Sequence, residues 1–297
     1  MSDMNATLNI FENIEAMPTI PVVLGPLLRY FEQPIDSLEV QQVVELISQD
    51  KSLAAQCLQM ANSPLFGRWQ SVDSIRGAVV ALGMQRMRDI ALSCSVLKLT
   101  PAGPTELNPT VFWEHSLGCA LVARMFARKI GFDDPSKTYL AGLLHDIGIV
   151  AELWVIPHKF SEVYSNGRKR GSALCEAERE VLGFAHTDVG RIVGQRWRLG
   201  EDIVEVLSHH HAPDAASDYR ALVAIIALSD LFCRMCSLGY GYVENTQINF
   251  LEEPGFSILS RECPSVAGLD WARFTFELES YMEEVHRLVA VLYGAKE

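Results

Sequence analysis

Apolar positions recur along this chain at the i, i+3, i+4, i+7 spacing of a helix face, and no run alternates as a strand would. Val40, Val43, Val44 and Ile47 form one stripe, with Asp36 and Glu39 spaced as its start signal. Asp50 is placed to cap the next helix, whose stripe runs through Leu53, Ala54, Cys57, Leu58 and Ala61. Asn62-Ser-Pro-Leu-Phe-Gly67 interrupts the pattern; Ile75, Ala78, Val79 and Leu82 resume it, and Gly83 ends or bends it. Thr100-Pro-Ala-Gly-Pro-Thr105, with two prolines and a glycine, reads as a linker between lobes. Beyond it the periodicity predicts helices near 110–130, 137–155, 158–170, 172–197, 201–211 and 219–237, and a last helix from Asp270 to Tyr293. Residues 239–268 have little periodicity and read as a long loop, and Asn166-Gly-Arg-Lys-Arg-Gly171 reads as a basic, solvated turn. The expectation is an all-α fold of two helical lobes, without an internal repeat. Residues 1–104 form the first lobe, 105–238 the second, and 239–297 a loop and closing helix packed on the core.

Composition narrows the partners. The chain has 297 residues, 49% of them hydrophobic, enough for a sizeable core, and a formal net charge of −12. Nucleic-acid binding rests on clustered Lys and Arg, so nucleic acid is not an expected partner. The amino terminus lacks the basic and apolar regions of a signal peptide, and the longest apolar run noted, Leu222–Cys233, is interrupted by Asp230. A cytoplasmic protein with no membrane contact is expected. Seven scattered cysteines fit reduced core thiols, including the Cys233-x-x-Cys236 pair within an apolar helix.

Polar groups recur where only apolar ones belong. Phe112, His115, Ser116, Cys119, Ala123 and Phe126 share a stripe, which turns His115 inward. His145 and Asp146 lie inside the apolar stretch Tyr139-Leu-Ala-Gly-Leu-Leu-His-Asp-Ile-Gly-Ile-Val150. His186 is placed on a helix continuing through Val189 and Ile192; Ile203, Val206, Leu207 and His210 share a face, with His211 adjacent. Val223 and Ile226 put Asp230 on another apolar face. A buried carboxylate needs hydrogen bonds, a cation or a metal. Imidazoles and carboxylates turned into one helical cavity suit Fe, Mn, Mg, Ni or Zn, while the absence of thiolates disfavours a closed structural zinc site. A buried polar network without metal is the alternative.

The chain resembles the HDOD family, the signalling branch of the HD-domain phosphohydrolase superfamily. The resemblance rests on Pro18-Thr-Ile-Pro21, Ile47-Ser-Gln-Asp50, Ala61-Asn-Ser-Pro-Leu-Phe-Gly67 and Ala81-Leu-Gly83 in the first lobe. In the second it rests on Phe112-Trp-Glu-His-Ser116, Ala141-Gly-Leu-Leu-His-Asp-Ile-Gly148, His186-Thr-Asp-Val-Gly190, Trp197-Arg-Leu199 and His210-His-Ala-Pro213. It implies an all-helical fold, a bacterial signal-transduction role, and one metal held by residues similar to His115, His145, Asp146 and Asp230. By likeness to the HD-GYP relatives, a second metal would be held by His186, His210 and His211. Those relatives carry a lysine where Ile149 stands and a Gly-Tyr-Pro loop after the double histidine, where this chain has Asp214-Ala-Ala-Ser-Asp218. Isoleucine cannot steady a phosphate or protonate a leaving group. The later Gly239-Tyr-Gly-Tyr-Val243 reads as a chance likeness to that loop.

Three functions follow. The chain is a regulatory module whose metal site, holding one or two ions, acts through contact with a signalling protein. Alternatively it is a phosphohydrolase of a phosphoester or nucleotide, with Asp146 at the catalytic centre. The third is a helical scaffold with hydrogen-bonded histidines. The intact ligand set and the missing catalytic accessories favour the first.

Overall fold

The computed structural model describes residues 8, 10–11, 23–31, 33, 37–66, 71–101, 105–245 and 249–292. Among the described residues every regular element is a helix or a 3-10 turn, as the periodicity predicts. Contacts divide the chain into two units, one comprising Thr19–Thr100 with Ser280–Glu297 and the other Met1–Pro18 with Pro101–Glu279.

In the smaller unit run α1 (Leu24–Phe31), α2 (Val40–Ser48), α3 (Lys51–Ala61), α4 (Ile75–Leu82) and α5 (Met84–Leu97). Asp50 caps α3 by accepting from the Leu53 amide, as its position predicts, and Lys98 pairs with the same carboxylate at 2.5 Å. Glu39 occupies the cap position of α2, and Asp36 lies outside the described residues. Val43, Ile47, Leu53, Cys57 and Ile90 are buried between these helices.

The larger unit holds α6 (Pro109–Lys129), α7 (Pro135–Leu144), α8 (Ile147–Val155), α9 (Pro157–Arg170), α10 (Leu174–Leu182), α11 (His186–Arg196), α12 (Glu201–His209), α13 (Arg220–Met235) and α14 (Pro254–Glu262). The last helix, α15 (Trp271–Leu292), is divided between the units after Glu279. Helix α6 packs on α7 and α13, and α11 packs on α8 and α12.

Four sequence expectations are corrected. The predicted helix 137–155 breaks at His145 and Asp146, and 172–197 breaks where Gly183 turns left-handed at φ +83. Side-chain periodicity persists through both breaks, so the pattern alone does not reveal them. The basic stretch Asn166–Arg170 is the last turn of α9 rather than a loop, its cationic side chains favourably placed at the helix carboxyl end. The supposed loop 239–268 contains α14 and two 3-10 turns, Phe250–Glu252 and Pro264–Gly268; Phe250 and Phe256 join Phe126, Phe232, Trp271 and Phe274 in one aromatic cluster.

Pro135–Val155 is long and apolar enough to cross a membrane by length and composition, and exceeds the Leu222–Cys233 run that the sequence reading singled out. Its apolar window is 83% buried inside the fold, however, and it carries His145 and Asp146. Its hydrophobicity is that of a core element.

Candidate metal centre

Six elements each deliver one part of the centre. Helix α6 turns His115 inward, fully buried, and its Nδ1 lies 2.6 Å from the Leu238 carbonyl. His145 follows the end of α7 with its Nδ1 2.7 Å from the Gly142 carbonyl, and Asp146 precedes α8. His186 opens α11; its backbone amide and its Nδ1 both lie 2.7 Å from Glu178 Oε2. His210 follows α12, its Nδ1 3.0 Å from the Val206 carbonyl. Asp230 comes from α13.

These partners fix the tautomers. A carbonyl or carboxylate oxygen accepts only, so each of the four Nδ1 atoms carries a hydrogen, and in the neutral imidazole each Nε2 is left with a lone pair. The Nε2 atoms then meet in pairs, His115 with His145 at 3.2 Å and His186 with His210 at 3.3 Å. Asp146 stands between the pairs. Its Oδ2 lies 3.4 Å from His115 Nε2 and 3.2 Å from His145 Nε2, while its Oδ1 lies 3.3 Å from His186 Nε2 and 3.4 Å from His210 Nε2. Four imidazole lone pairs and a carboxylate thus converge with their ring donors already engaged outward.

Converging acceptors repel unless a cation lies among them. Asp146 Oδ1 and His211 Nε2 are buried without a hydrogen-bond partner. Ligand atoms of His115, His145 and Asp146 fall within 4.8 Å of one another, as do those of Asp146, His186, His210 and His211. The donors therefore fit two metal half-sites sharing one carboxylate. Asp230, which the sequence reading also names as a ligand, borders the His115 half-site. Its Oδ1 is 3.2 Å from His115 Nε2, yet Arg234, one turn on, grips both oxygens at 3.1 and 3.0 Å.

Residues 17–213 match the HDOD domain. The chain belongs to the HDOD family. Over 98% of both chains it superposes on an HDOD domain protein of unknown function from Geobacter sulfurreducens, with a TM-score of 0.85 and 29% identity. A Shewanella amazonensis SB2B protein whose phosphohydrolase designation is provisional shares the fold at TM-score 0.71 and 20% identity, over 97% of this chain and 98% of that one. A protein of uncharacterized function from Treponema pallidum (strain Nichols) is 24% identical over 228 residues, 76% of this chain. The chain spans less than half the length of the curated relatives it matches. Asp230 lies beyond the stretch matched to the HDOD domain.

Burial and charge set the protonation of this HDOD site. Burial opposes a charge on His115, but the hydrogen bonds it donates to Asp146 and Asp230 prevail and raise its pKa to about 10. His186 is likewise raised well above the usual imidazole value, burial being outweighed by the Glu178 charge. His210 and His211 go the other way, lowered by burial. Burial would raise Asp146, but the facing imidazoles, His145 first, hold it well below the ordinary carboxylate range. Asp230 is held down against burial chiefly by Arg234.

Sequence reasoning missed four members of the HDOD site's surroundings. Glu178 shares the buried face of α10 with Leu174, Cys175 and Leu182, so its inward position was readable from periodicity. Arg234 stands four residues after Asp230 on one helix, also readable. Glu152 is fully buried on α8, with neither oxygen hydrogen-bonded, and burial and Glu178 push its carboxyl well above its ordinary value. Tyr240, in the segment set aside as a chance likeness, donates its hydroxyl to Asp146 Oδ2 at 2.5 Å. Nothing periodic marks it.

Proposed function

We propose that this HDOD protein is a regulatory module that binds one or two metal ions at the His115–His145–Asp146 and Asp146–His186–His210–His211 half-sites. The observation that carries the reading is the convergence of four Nε2 lone pairs on both oxygens of one buried carboxylate. All four Nδ1 donors are engaged outward, so each ring presents its Nε2, the atom a metal would take, to the shared carboxylate. A set so rich in imidazole favours Zn, Fe, Mn or Ni over Mg, which prefers oxygen ligands and retains water.

Regulation is favoured over hydrolysis because the centre is closed. His115, His145, Asp146, His186, His210 and Asp230 are each at most 1% exposed, and of the proposed ligands His211 alone reaches the surface, its side chain 11% exposed. Among the described residues, the arginines on the helices that carry the ligands are engaged elsewhere or exposed. Arg124 stacks on the Tyr139 ring at 4.6 Å, Arg191 and Arg196 are exposed, and Arg234 is engaged by Asp230 and Glu244. The output is then a protein contact, made with a signalling partner through exposed helical surface such as the face of α15 that carries Phe276.

Elemental analysis of protein purified without chelator tests this, alongside His145→Ala and Asp146→Ala. We expect near-stoichiometric metal in the parent, its loss in Asp146→Ala, and no turnover of a phosphoester and nucleotide panel. A metal-free parent overturns the reading. A second reading, phosphohydrolase, is supported by the shared carboxylate, since paired ions can clamp the attacking and leaving oxygens of a phosphoryl group. Turnover by the metal-loaded parent, lost in Asp146→Ala, would establish it.

A further inference from the structure

The segment Cys236–Asn245 follows α13 and lies beyond the residues matched to the HDOD domain. It is attached to the centre at two points. The Leu238 carbonyl accepts from His115 Nδ1, and the Tyr240 hydroxyl donates to Asp146 Oδ2. It is attached to its surroundings at several more. Tyr164 donates its hydroxyl to the Tyr240 carbonyl at 2.8 Å, Tyr242 donates to the Ser172 carbonyl at 3.1 Å, and the Asn245 amide donates to the Gly171 carbonyl at 2.7 Å. Arg234 joins Glu244 to Asp230. Gly241, at φ +86, turns the chain between the two tyrosines in a conformation that side-chain-bearing residues enter at a cost. The segment is a strap with two faces. Leu238 and Tyr240 are each 2% exposed, whereas Val243 is 82% exposed, and the outer side borders a cavity of about 430 Å³ lined by Arg234, Ser237, Tyr242 and Glu244.

We propose that Tyr240 is a positioning residue for Asp146, and that through it the strap reports metal occupancy of the centre at the protein surface. The proposal rests on the metal-binding reading above and adds its means of regulation. Asp146 serves both half-sites only if its carboxylate plane is fixed, one oxygen toward each imidazole pair. The phenol takes one lone pair of Oδ2 and fixes that plane, and Oδ1 is left for His186 and His210. Hydrogen bonds to a ligating carboxylate of this kind commonly set metal affinity by about 10–100-fold. Coupling is reciprocal: if the strap's hold on Asp146 favours the bound metal, the bound metal steadies the strap to the same extent.

The test uses the intact chain and Tyr240→Phe, which removes one oxygen and keeps the ring against His115, 4.9 Å away between centroids. Mn²⁺ and Zn²⁺ affinities are measured by competition with a chromogenic chelator, and hydrogen exchange across 236–245 is followed with and without each ion. Three results are expected together. Affinity falls about 10–100-fold in the variant. The melting temperature of the metal-free variant stays close to that of the parent. Metal slows exchange of 236–245 in the parent and does so less in the variant. A merely structural role for the hydroxyl would lower the metal-free melting temperature and leave affinity alone, which overturns the proposal. So does a parent that binds metal with no change of exchange in the strap, a measurement that needs no variant. A parent that binds no metal overturns both this proposal and the reading beneath it.

Discussion

His115 and His145 face each other Nε2 to Nε2 at 3.2 Å, although both rings direct their Nδ1 hydrogens to backbone carbonyls. Two lone pairs so close require a positive charge. In the metal-free protein a proton supplies it: burial opposes the charge, but hydrogen bonds to Asp146 and Asp230 outweigh burial and raise the His115 pKa to about 10. Metal and proton therefore compete for one position.

The sign of the pH dependence follows from that competition. The folded pKa of His115 lies above its ordinary value of 6.5, so the stability linked to its proton is complete below pH 6.5 and is lost as pH rises through 10. Metal-free protein should lose stability across that window, whereas metal-loaded protein should not lose this contribution. At neutral pH, metal binding should also release protons, and affinity should climb with pH. Titration calorimetry in buffers of differing ionisation enthalpy reads the proton count; zero release would refute the competition.

Asp146 presents one oxygen to each imidazole pair, so substitutions should sort by stoichiometry. In protein that holds two ions, His145→Ala should leave the ion at His186 and His210, and His210→Ala should leave the ion at His115 and His145. Asp146→Asn should weaken both, because a neutral amide oxygen replaces the carboxylate common to them. Metal content per chain after gel filtration decides this, and an Asp146→Asn protein that keeps both ions would show that the carboxylate is not shared.

Glu152 offers a test outside the ligand set, beside the Glu178 that holds His186. Both its oxygens are buried without a hydrogen bond, and its pKa stands well above the ordinary 4.5 through burial and the charge of Glu178. A raised carboxyl pKa means that the folded state retains a proton the unfolded chain gives up above pH 4.5, so stability declines as pH rises from there toward the folded value. Glu152→Gln keeps the shape and removes the titration. It should be near neutral in effect at pH 4 and increasingly stabilising toward pH 8, as urea unfolding at several pH values would show. A pH-independent difference would mean that Glu152 is already ionised in the fold.

Much of this arrangement was legible in the sequence because helices repeat. The stripe of Phe112, Cys119 and Phe126 turned His115 inward, that of Ile203, Val206 and Leu207 did the same for His210, and the motifs identified the HDOD family. What periodicity cannot carry is direction at a break. His145 and Asp146 lie at the junction of α7 and α8, and His186 begins α11, so their convergence depends on how short helices restart. Tyr240 was hidden for a related reason: it lies in a segment whose course is set by carbonyl and hydroxyl contacts with residues far away in sequence, Asp146 and Tyr164 among them. The pairing of Asp230 with Arg234 was visible as an i, i+4 spacing, but the metal-ligand pattern drew attention to the acid alone.

Gly148 shows how closely those short helices must approach. A Cβ built there would lie 2.0 Å from the carbonyl oxygen of His186 and 2.9 Å from the amide nitrogen of Gly190. Both are backbone atoms, so no side chain can rotate away, and α8 and α11 would have to separate. Overpacking of this kind costs about 1–3 kcal/mol in stability. The larger consequence is for the site, because Gly148 is two residues after Asp146 and its obstacle is His186 itself. Gly148→Ala should therefore pull the His186 half-site away from Asp146 Oδ1 while leaving His115 and His145, on α6 and the end of α7, in place. The expected outcome is a folded protein with a lowered melting temperature that retains at most the ion held by His115, His145 and Asp146. Equal loss from both half-sites would instead mean that Asp146, rather than His186, moves to relieve the clash.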